Sequence, residues 1–319
     1  MVLFLLVILT VPVLGQESGL QGYVTDETKE FPGAEVVATN IETGVAHTAL
    51  TSDVGFYSFP FLKEGQYKVR CSMAGFTTQQ TTLTIELGQV ARVDFTMKIG
   101  EVSQVVDVVA EAERIQQKAQ DVGQVIDERR IRELPLNGRN YLQLAGLSAG
   151  VAPAGGPGGS HRTAGAGGFV AVGNHVAQNN IRLDGADITS RTSRGQLGFE
   201  AQAIVPNLDA LSEFKVITNN VSAEYGYRQG AQVLVSTKSG TNNFHGTLFE
   251  YHRNSALAAN DFFFNRNSNP GETGAKRPQY IRNEYGATFG GPIKRDRTFF
   301  FGSFADQTHS ERHAHYRST

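Results

Sequence analysis

The sequence predicts a mainly β chain made of three successive bodies. These are a β-sandwich, a mixed α+β layer, and a final run of strands with one apolar or aromatic face. Three observations carry this prediction. Short alternating runs recur about every 8–12 residues through the first hundred positions, the spacing of a sandwich. Glycine is abundant, at 35 of 319 residues, which goes with many turns. Of 30 aromatic residues, 13 crowd between Phe244 and Phe304.

Composition excludes several classes. With 29 basic against 31 acidic residues the net charge is −2, so the chain is not a globally basic nucleic-acid binder. Its 40% hydrophobic content can support a core, which a disordered polyelectrolyte lacks. Cys71 is the single cysteine, so no internal disulfide, Cys-based zinc site or iron–sulfur cluster can form.

Residues 1–15, MVLFLLVILTVPVLG, are uncharged and almost wholly apolar. The run is shorter than the roughly 20 residues a spanning helix needs, and Val13 and Gly15 supply a small-residue cleavage pair. It reads as a signal peptide. No Lys or Arg precedes Lys29, so a truncated start or a buried strand is the alternative.

Residues 19–98 carry the sandwich. Tyr67, Val69, Cys71 and Met73 share one face of a run, opposite Lys68, Arg70 and Ser72. Ala91, Val93, Phe95 and Met97 repeat the pattern. Gly33, Gly44, Gly55, Gly65 and Gly75 fall in the turns between runs, where a positive φ is needed. About eighty residues suffice for seven strands. Cys71 lies on the apolar face and reads as a buried, inert thiol.

Residues 101–243 are mixed. Asp127–Leu134 reads as a short helix stopped by Pro135, Asn137–Leu147 as a second with Asn137 as cap, and Asn207–Phe214 as a third. Strand-like pieces are Ile181–Leu183, Phe214–Thr218 and Gln232–Thr237. The stretch 155–168 holds seven Gly in fourteen residues but lacks a Gly-Lys-Ser/Thr ending, so it reads as a loop without phosphate chemistry.

From residue 244 the aromatic strands begin. Thr247, Phe249 and Tyr251 share one face, with Gly246, Leu248, Glu250 and His252 on the other. Tyr285, Ala287 and Phe289 oppose Glu284, Gly286 and Thr288, and a turn at Gly291–Arg297 leads into Thr298–Phe304. Such strands fit the wall of a transmembrane barrel, and a soluble antiparallel sheet would alternate in the same way.

A search for chemistry finds no catalytic set, no cofactor site and no metal site. His309 and His313 are four apart, but their order differs from a His-Glu-x-x-His motif and they follow a strand. His245 and His252 read as wall residues. Arg129, Arg130 and Arg132 beside Glu128 and Glu133 read as a solvated helix face.

At this point the residues resemble known families. GYVTDETKEFPGAEVVATNIETGVAHTALTSDVGFYSFPFLKEGQYKVRCSMAGF resembles the carboxypeptidase regulatory-like domain, an immunoglobulin-like or prealbumin-like sandwich related to carbohydrate-binding folds. VGQVIDERRIRELPLNGRNYLQL, NNIRLDGADIT and LDALSEFKVITNNVSAEYG resemble the plug domain of TonB-dependent outer-membrane receptors. STKSGTNNFHGTLFEYHRNSALAANDFF and FGGPIKRDRTFFFGSFADQ resemble the first barrel strands of their Oar-like branch. The resemblance covers residues 19–308. After the signal peptide at 1–15, it implies a sandwich at 19–98, a plug at 101–243 and the start of a barrel at 244–319.

The resemblance further implies energised uptake of a scarce ligand across the outer membrane, with the plug gating the barrel. The implied partners are a TonB-type periplasmic protein, outer-membrane lipid and an unknown small ligand, a glycan or a peptide among the candidates. No nucleic acid and no enzyme activity are implied, and the sandwich is expected in the periplasm. The partner adds a short segment to a sheet edge. The candidate segment lies between sandwich and plug, at Val105, Val106, Asp107, Val108 and Val109 within residues 104–110. Its alternative reading is an ordinary strand of either neighbour. Arg139 and Arg182 belong to the plug motifs and are expected to bridge plug to wall.

Receptors of this class close with 22 strands, each about 9–11 residues long. Only 75 residues run from His245 to Thr319, enough for three strands. The chain is therefore expected to be the N-terminal part of a longer receptor. A second function class is a surface carbohydrate-binding or adhesion module based on the sandwich, whose Tyr23, Tyr57 and Tyr67 lie in different strands.

Overall fold

The computed structural model describes residues 18–26, 31–100, 105–107, 122–134, 136, 139–153, 168–174, 178–189, 202–221, 225, 229–259 and 279–312. The leader 1–15, residues 155–167 of the glycine-rich stretch, Asn137, Val108, Val109 and His313 lie outside the described residues. Two compact units are present, the first comprising residues up to Lys238 together with Lys294–Thr298, the second Ser239–Ile293 and the residues from Phe299.

The first unit opens with strands β1 (Gly19–Thr25), β2 (Glu35–Asn40), β3 (Ala46–Leu50), β4 (Phe56–Phe59), β5 (Gly65–Ser72), β6 (Thr78–Ile85), β7 (Val90–Arg92), β8 (Phe95–Thr96) and β9 (Val105–Asp107). One sheet has the order β4-β1-β7, with β8 also on β1, and the other β3-β2-β5-β6-β9. The alternation read from the sequence holds in β5, where Tyr67, Val69 and Cys71 are buried while Gln66, Lys68 and Arg70 are exposed. All five turn glycines have positive φ. Between the sheets lies a core that includes Leu20, Val24, Val36, Phe59, Val69, Ile85 and Phe95.

The last apolar run is divided in two, which raises the strand count above seven. Ala91, Val93, Phe95 and Met97 all bury as expected, but β7 and β8 pair separately and in parallel with β1. The break falls where the Val93 carbonyl accepts the Tyr57 hydroxyl at 2.6 Å and crosses Gly22. A Cβ on Gly22 would stand 1.7 Å from that oxygen, so only glycine admits the crossing.

The mixed layer follows in the same unit. It comprises β10 (Val122–Asp127), α1 (Glu128–Glu133), β11 (Val151–Pro153), β12 (Phe169–Ala171), β13 (Asn180–Leu183), β14 (Ala186–Asp187), β15 (Leu211–Asn219) and β16 (Gln232–Thr237). Its main sheet has the order β10-β15-β16-β13-β14, with β13 parallel to β16. Helix α1 starts as expected: Asp127 accepts the Arg130 N–H at 2.8 Å, and only Ile131 is buried. Its exposed pairs Arg129–Glu133 and Arg132–Glu128 contribute at most a few tenths of a kcal/mol each.

Two helical expectations are corrected. The second is a 3-10 helix at Tyr141–Leu147, capped by Asn140, whose side chain accepts the Leu142 N–H. The third shrinks to a 3-10 turn at Leu208–Ala210. Leu211–Phe214 instead joins β15, which is laddered on both sides by β10 and β16. Two ladders satisfy more backbone than one isolated helical turn, whose nucleation is unfavourable. Phe214, Val216, Val233 and Val235 fill the core on one side of this sheet, against Ile131, Tyr141 and Leu142.

The second unit is a three-stranded sheet, β17 (His245–Asn254), β18 (Gln279–Lys294) and β19 (Thr298–Arg312), in that order. The turn before β19 is tighter than expected, because β18 runs on to Lys294. Register reveals which faces match. Leu248 lies opposite Ala287, and Phe249 opposite Gly286, so the two aromatic sets read from the sequence fall on opposite faces. One face is polar: Thr247 and Thr288 hydroxyls meet at 2.7 Å, and Arg282 pairs with Glu284 at 2.9 Å. Leu248, 89% exposed, marks the other, with Phe289 stacked on Phe244 at 5.9 Å between centroids.

Candidate functional site

Two places hold the candidate groups: the edge of the sandwich, where the sequence's candidate segment lies, and the contact between sandwich and mixed layer. Val105–Asp107 form β9, which runs parallel to β6 with Val105 opposite Thr78, Val106 opposite Gln79 and Asp107 opposite Gln80. The segment is thus an edge strand of the sandwich. Among the described residues it has a neighbouring strand on one side only. Its β-branched composition suits this, since such side chains favour extended backbone. Its pairing with β6 could not be read from spacing, because nothing local specifies which strand an edge segment joins.

The sandwich also reaches the outer side of the mixed sheet through two of its connections. At the first, Leu87 is fully buried with Ile217 and Leu234, and Val221 and Tyr225 pack around them. Leu87 N–H donates to Glu213 Oε2 at 2.8 Å, and Lys215 Nζ donates to the Gly88 carbonyl at 3.0 Å. At the second, Glu64 accepts the hydroxyls of Ser212 and Ser236, while Lys63 Nζ donates to the Thr237 carbonyl at 3.4 Å. Burial raises the Glu213 carboxyl from its ordinary 4.5 to about 7, against the lowering effect of the Leu87 N–H. Glu64, Glu86 and Asp127 add like charge and raise it further. Sequence reasoning missed this contact. Lys215 and Glu213 in an otherwise apolar strand were its only signal.

Arg139 and Arg182, expected to bridge to a wall, are both engaged inside the mixed layer. Arg139 pairs with Asp209 at 2.5 Å, with both side chains largely buried. Arg182 donates to the Tyr225 carbonyl at 3.3 Å, and its guanidinium lies over the Tyr225 ring at 5.4 Å. Asp184 accepts both the N–H and the hydroxyl of Thr237, which fixes the turn after β13.

Tyr57 and Tyr67 are core residues of the sandwich, 1% and 2% exposed, and offer no aromatic platform to a glycan. Cys71 is fully buried, and burial pushes its thiol up to about 12, as an inert cysteine requires. His252 meets Asn283 across the β17–β18 ladder. Among the described residues no group of His, Cys, Asp and Glu could hold a metal ion. Among the described residues no helix is long and apolar enough to cross a membrane, which says nothing of spanning strands.

Comparison with known proteins adds the following. Residues 19–98 match the carboxypeptidase regulatory-like domain family, and residues 236–319 match an outer membrane beta barrel domain family. The chain is 24% identical over 299 residues to the TonB-dependent transporter Oar of Myxococcus xanthus, covering 91% of this chain. It spans only 27% of the length of that relative. Among solved structures, it is similar to the ferric enterobactin receptor PfeA of Pseudomonas aeruginosa (a G324V mutant). That match has 19% identity and a TM-score of 0.39, over 59% of this chain and 25% of that one. A cohesin–X-dockerin complex of Acetivibrio cellulolyticus matches with 16% identity and a TM-score of 0.22, over 26% and 58% of the two chains.

Proposed function

Starting from homology to a TonB-dependent transporter, with an outer-membrane barrel domain and hence an outer-membrane location, we propose that this chain is the N-terminal part of such a transporter. The mixed layer, residues 101–243, is its plug. The sandwich, residues 19–98, faces the periplasm. Strands β17–β19 begin the barrel wall, and the plug gates passage of a scarce small ligand drawn in by energy from a TonB-type periplasmic protein. Val105–Val109 is the segment that this partner captures by strand addition.

The observation that carries this reading is the extended strand Val105–Asp107, which follows the sandwich in the chain and has a neighbouring strand on one side only among the described residues. The wall assignment is supported by length as well. β18 and β19 have 16 and 15 residues, more than the about 9–11 a membrane strand requires. Leu248 of β17 and Phe289 of β18 are exposed apolar side chains on one face of the sheet, which lipid would cover.

The test is deletion of residues 104–110 with both neighbours retained. Capture of the chain by the C-terminal domain of a TonB-type protein is expected to be lost. Undiminished capture would remove the assignment of the segment.

A further inference from the structure

We infer that the sandwich holds the partner segment in cis: the edge of β6 takes up Val105–Asp107 as an added strand and withholds its backbone from a competing strand-adding partner. The inference rests on the reading of 105–109 as the partner segment.

The path of the chain supports it. After β8 the chain first runs antiparallel beside the start of β6. There the Thr77 N–H donates to the Lys98 carbonyl at 2.9 Å, and the Gly100 N–H donates to the Gly75 carbonyl at 3.3 Å. An isolated bridge joins Phe76 and Ile99 between these two bonds. Gly100 lies so close that a Cβ there would stand 2.3 Å from the Thr77 hydroxyl. Residues 105–107 then lie parallel to Thr78–Gln80. The connection between sandwich and mixed layer is thus anchored on the sandwich before it leaves.

The strength of the hold suits exchange. β9 pairs with three of the eight residues of β6, so the rest of that edge carries no strand among the described residues. A parallel ladder is somewhat weaker per residue than an antiparallel one, and this one is short. A partner offering a longer ladder on the same backbone groups would win the segment. It would also uncover the β6 edge, an open row of donors and acceptors. Release of the segment and a change in the sandwich edge are then one event.

The experiment uses the full chain with Gln80→Cys and Asp107→Cys, positions that stand opposite each other in the ladder. Cys71 is buried and stays protonated, so it does not compete for disulfide exchange. The pair is expected to oxidise to a crosslink. The oxidised chain should bind the C-terminal domain of a TonB-type protein at least tenfold more weakly than the reduced chain, and the reduced chain should match the unmodified one. Failure of the crosslink to form, or equal binding before and after reduction, overturns the cis hold. If the unmodified chain does not bind that domain, the reading of 105–109 falls and the inference with it.

Discussion

Glu213 sits in the contact between sandwich and mixed layer with its carboxyl near 7, mainly because it is buried. Its folded value lies above its unfolded one, so the folded state binds the extra proton. The stabilisation is therefore full below about pH 4.5 and is lost as pH rises through about 7. The unmodified chain is expected to lose roughly 2–3 kcal/mol relative to Glu213→Gln between pH 5 and 8. Denaturant titration of both chains across that range checks this, and parallel pH profiles would refute it. Gln232 offers a second test. It is fully buried, and neither polar atom of its side chain has a hydrogen-bond partner. An unsatisfied buried amide costs about 1–3 kcal/mol, so Gln232→Met should raise stability by about that amount. A lower melting temperature in that variant would show that the amide is satisfied in solution.

At the scale of elements, glycines set how closely strands and carbonyls approach. Gly22 lets β1 pass the Val93 carbonyl where the apolar run breaks into β7 and β8. Gly22→Ala is expected to destabilise the sandwich by about 3 kcal/mol, because backbone must move to admit the methyl. Thermal unfolding monitored by circular dichroism measures it. In the second unit, Phe249 covers Gly286 across the ladder, and a Cβ there would meet its ring at 2.4 Å. The alternation of β17 and β18 was plain in the sequence, and so were the extents of β5, β13 and β16. Their register was not. Period two fixes which residues share a face of one strand, but pairing decides which faces of two strands coincide. Leu211–Phe214 shows the same limit for helices. A short helical candidate was legible at Asn207–Phe214, and competing ladders on both sides turned its second half into β15.

For the molecule as a whole, the sandwich and mixed layer behave as one compact unit because Leu87 closes a small apolar cluster between them. Leu87→Ala should cost about 2–4 kcal/mol. Differential scanning calorimetry is expected to separate one unfolding transition of this unit into two, and a single shifted transition would mean that other contacts suffice. The candidate segment gains its meaning at this scale too. Between Lys98 and the mixed layer, the chain is fastened to the edge of β6 before it continues.

The sequence by itself determined the order of the bodies, the turns between sandwich strands, the buried Cys71 and the concentration of aromatic residues in the last strands. These are local properties, set by periodicity, positive-φ glycines and composition. Only the tertiary structure decided that Val105–Asp107 joins β6, that Glu213 accepts the Leu87 N–H, and that Leu248 rather than Phe249 shares the face of Ala287 and Phe289. Each depends on which distant strand supplies the partner backbone, and strand pairing is a contest among long-range alternatives that no window of sequence contains.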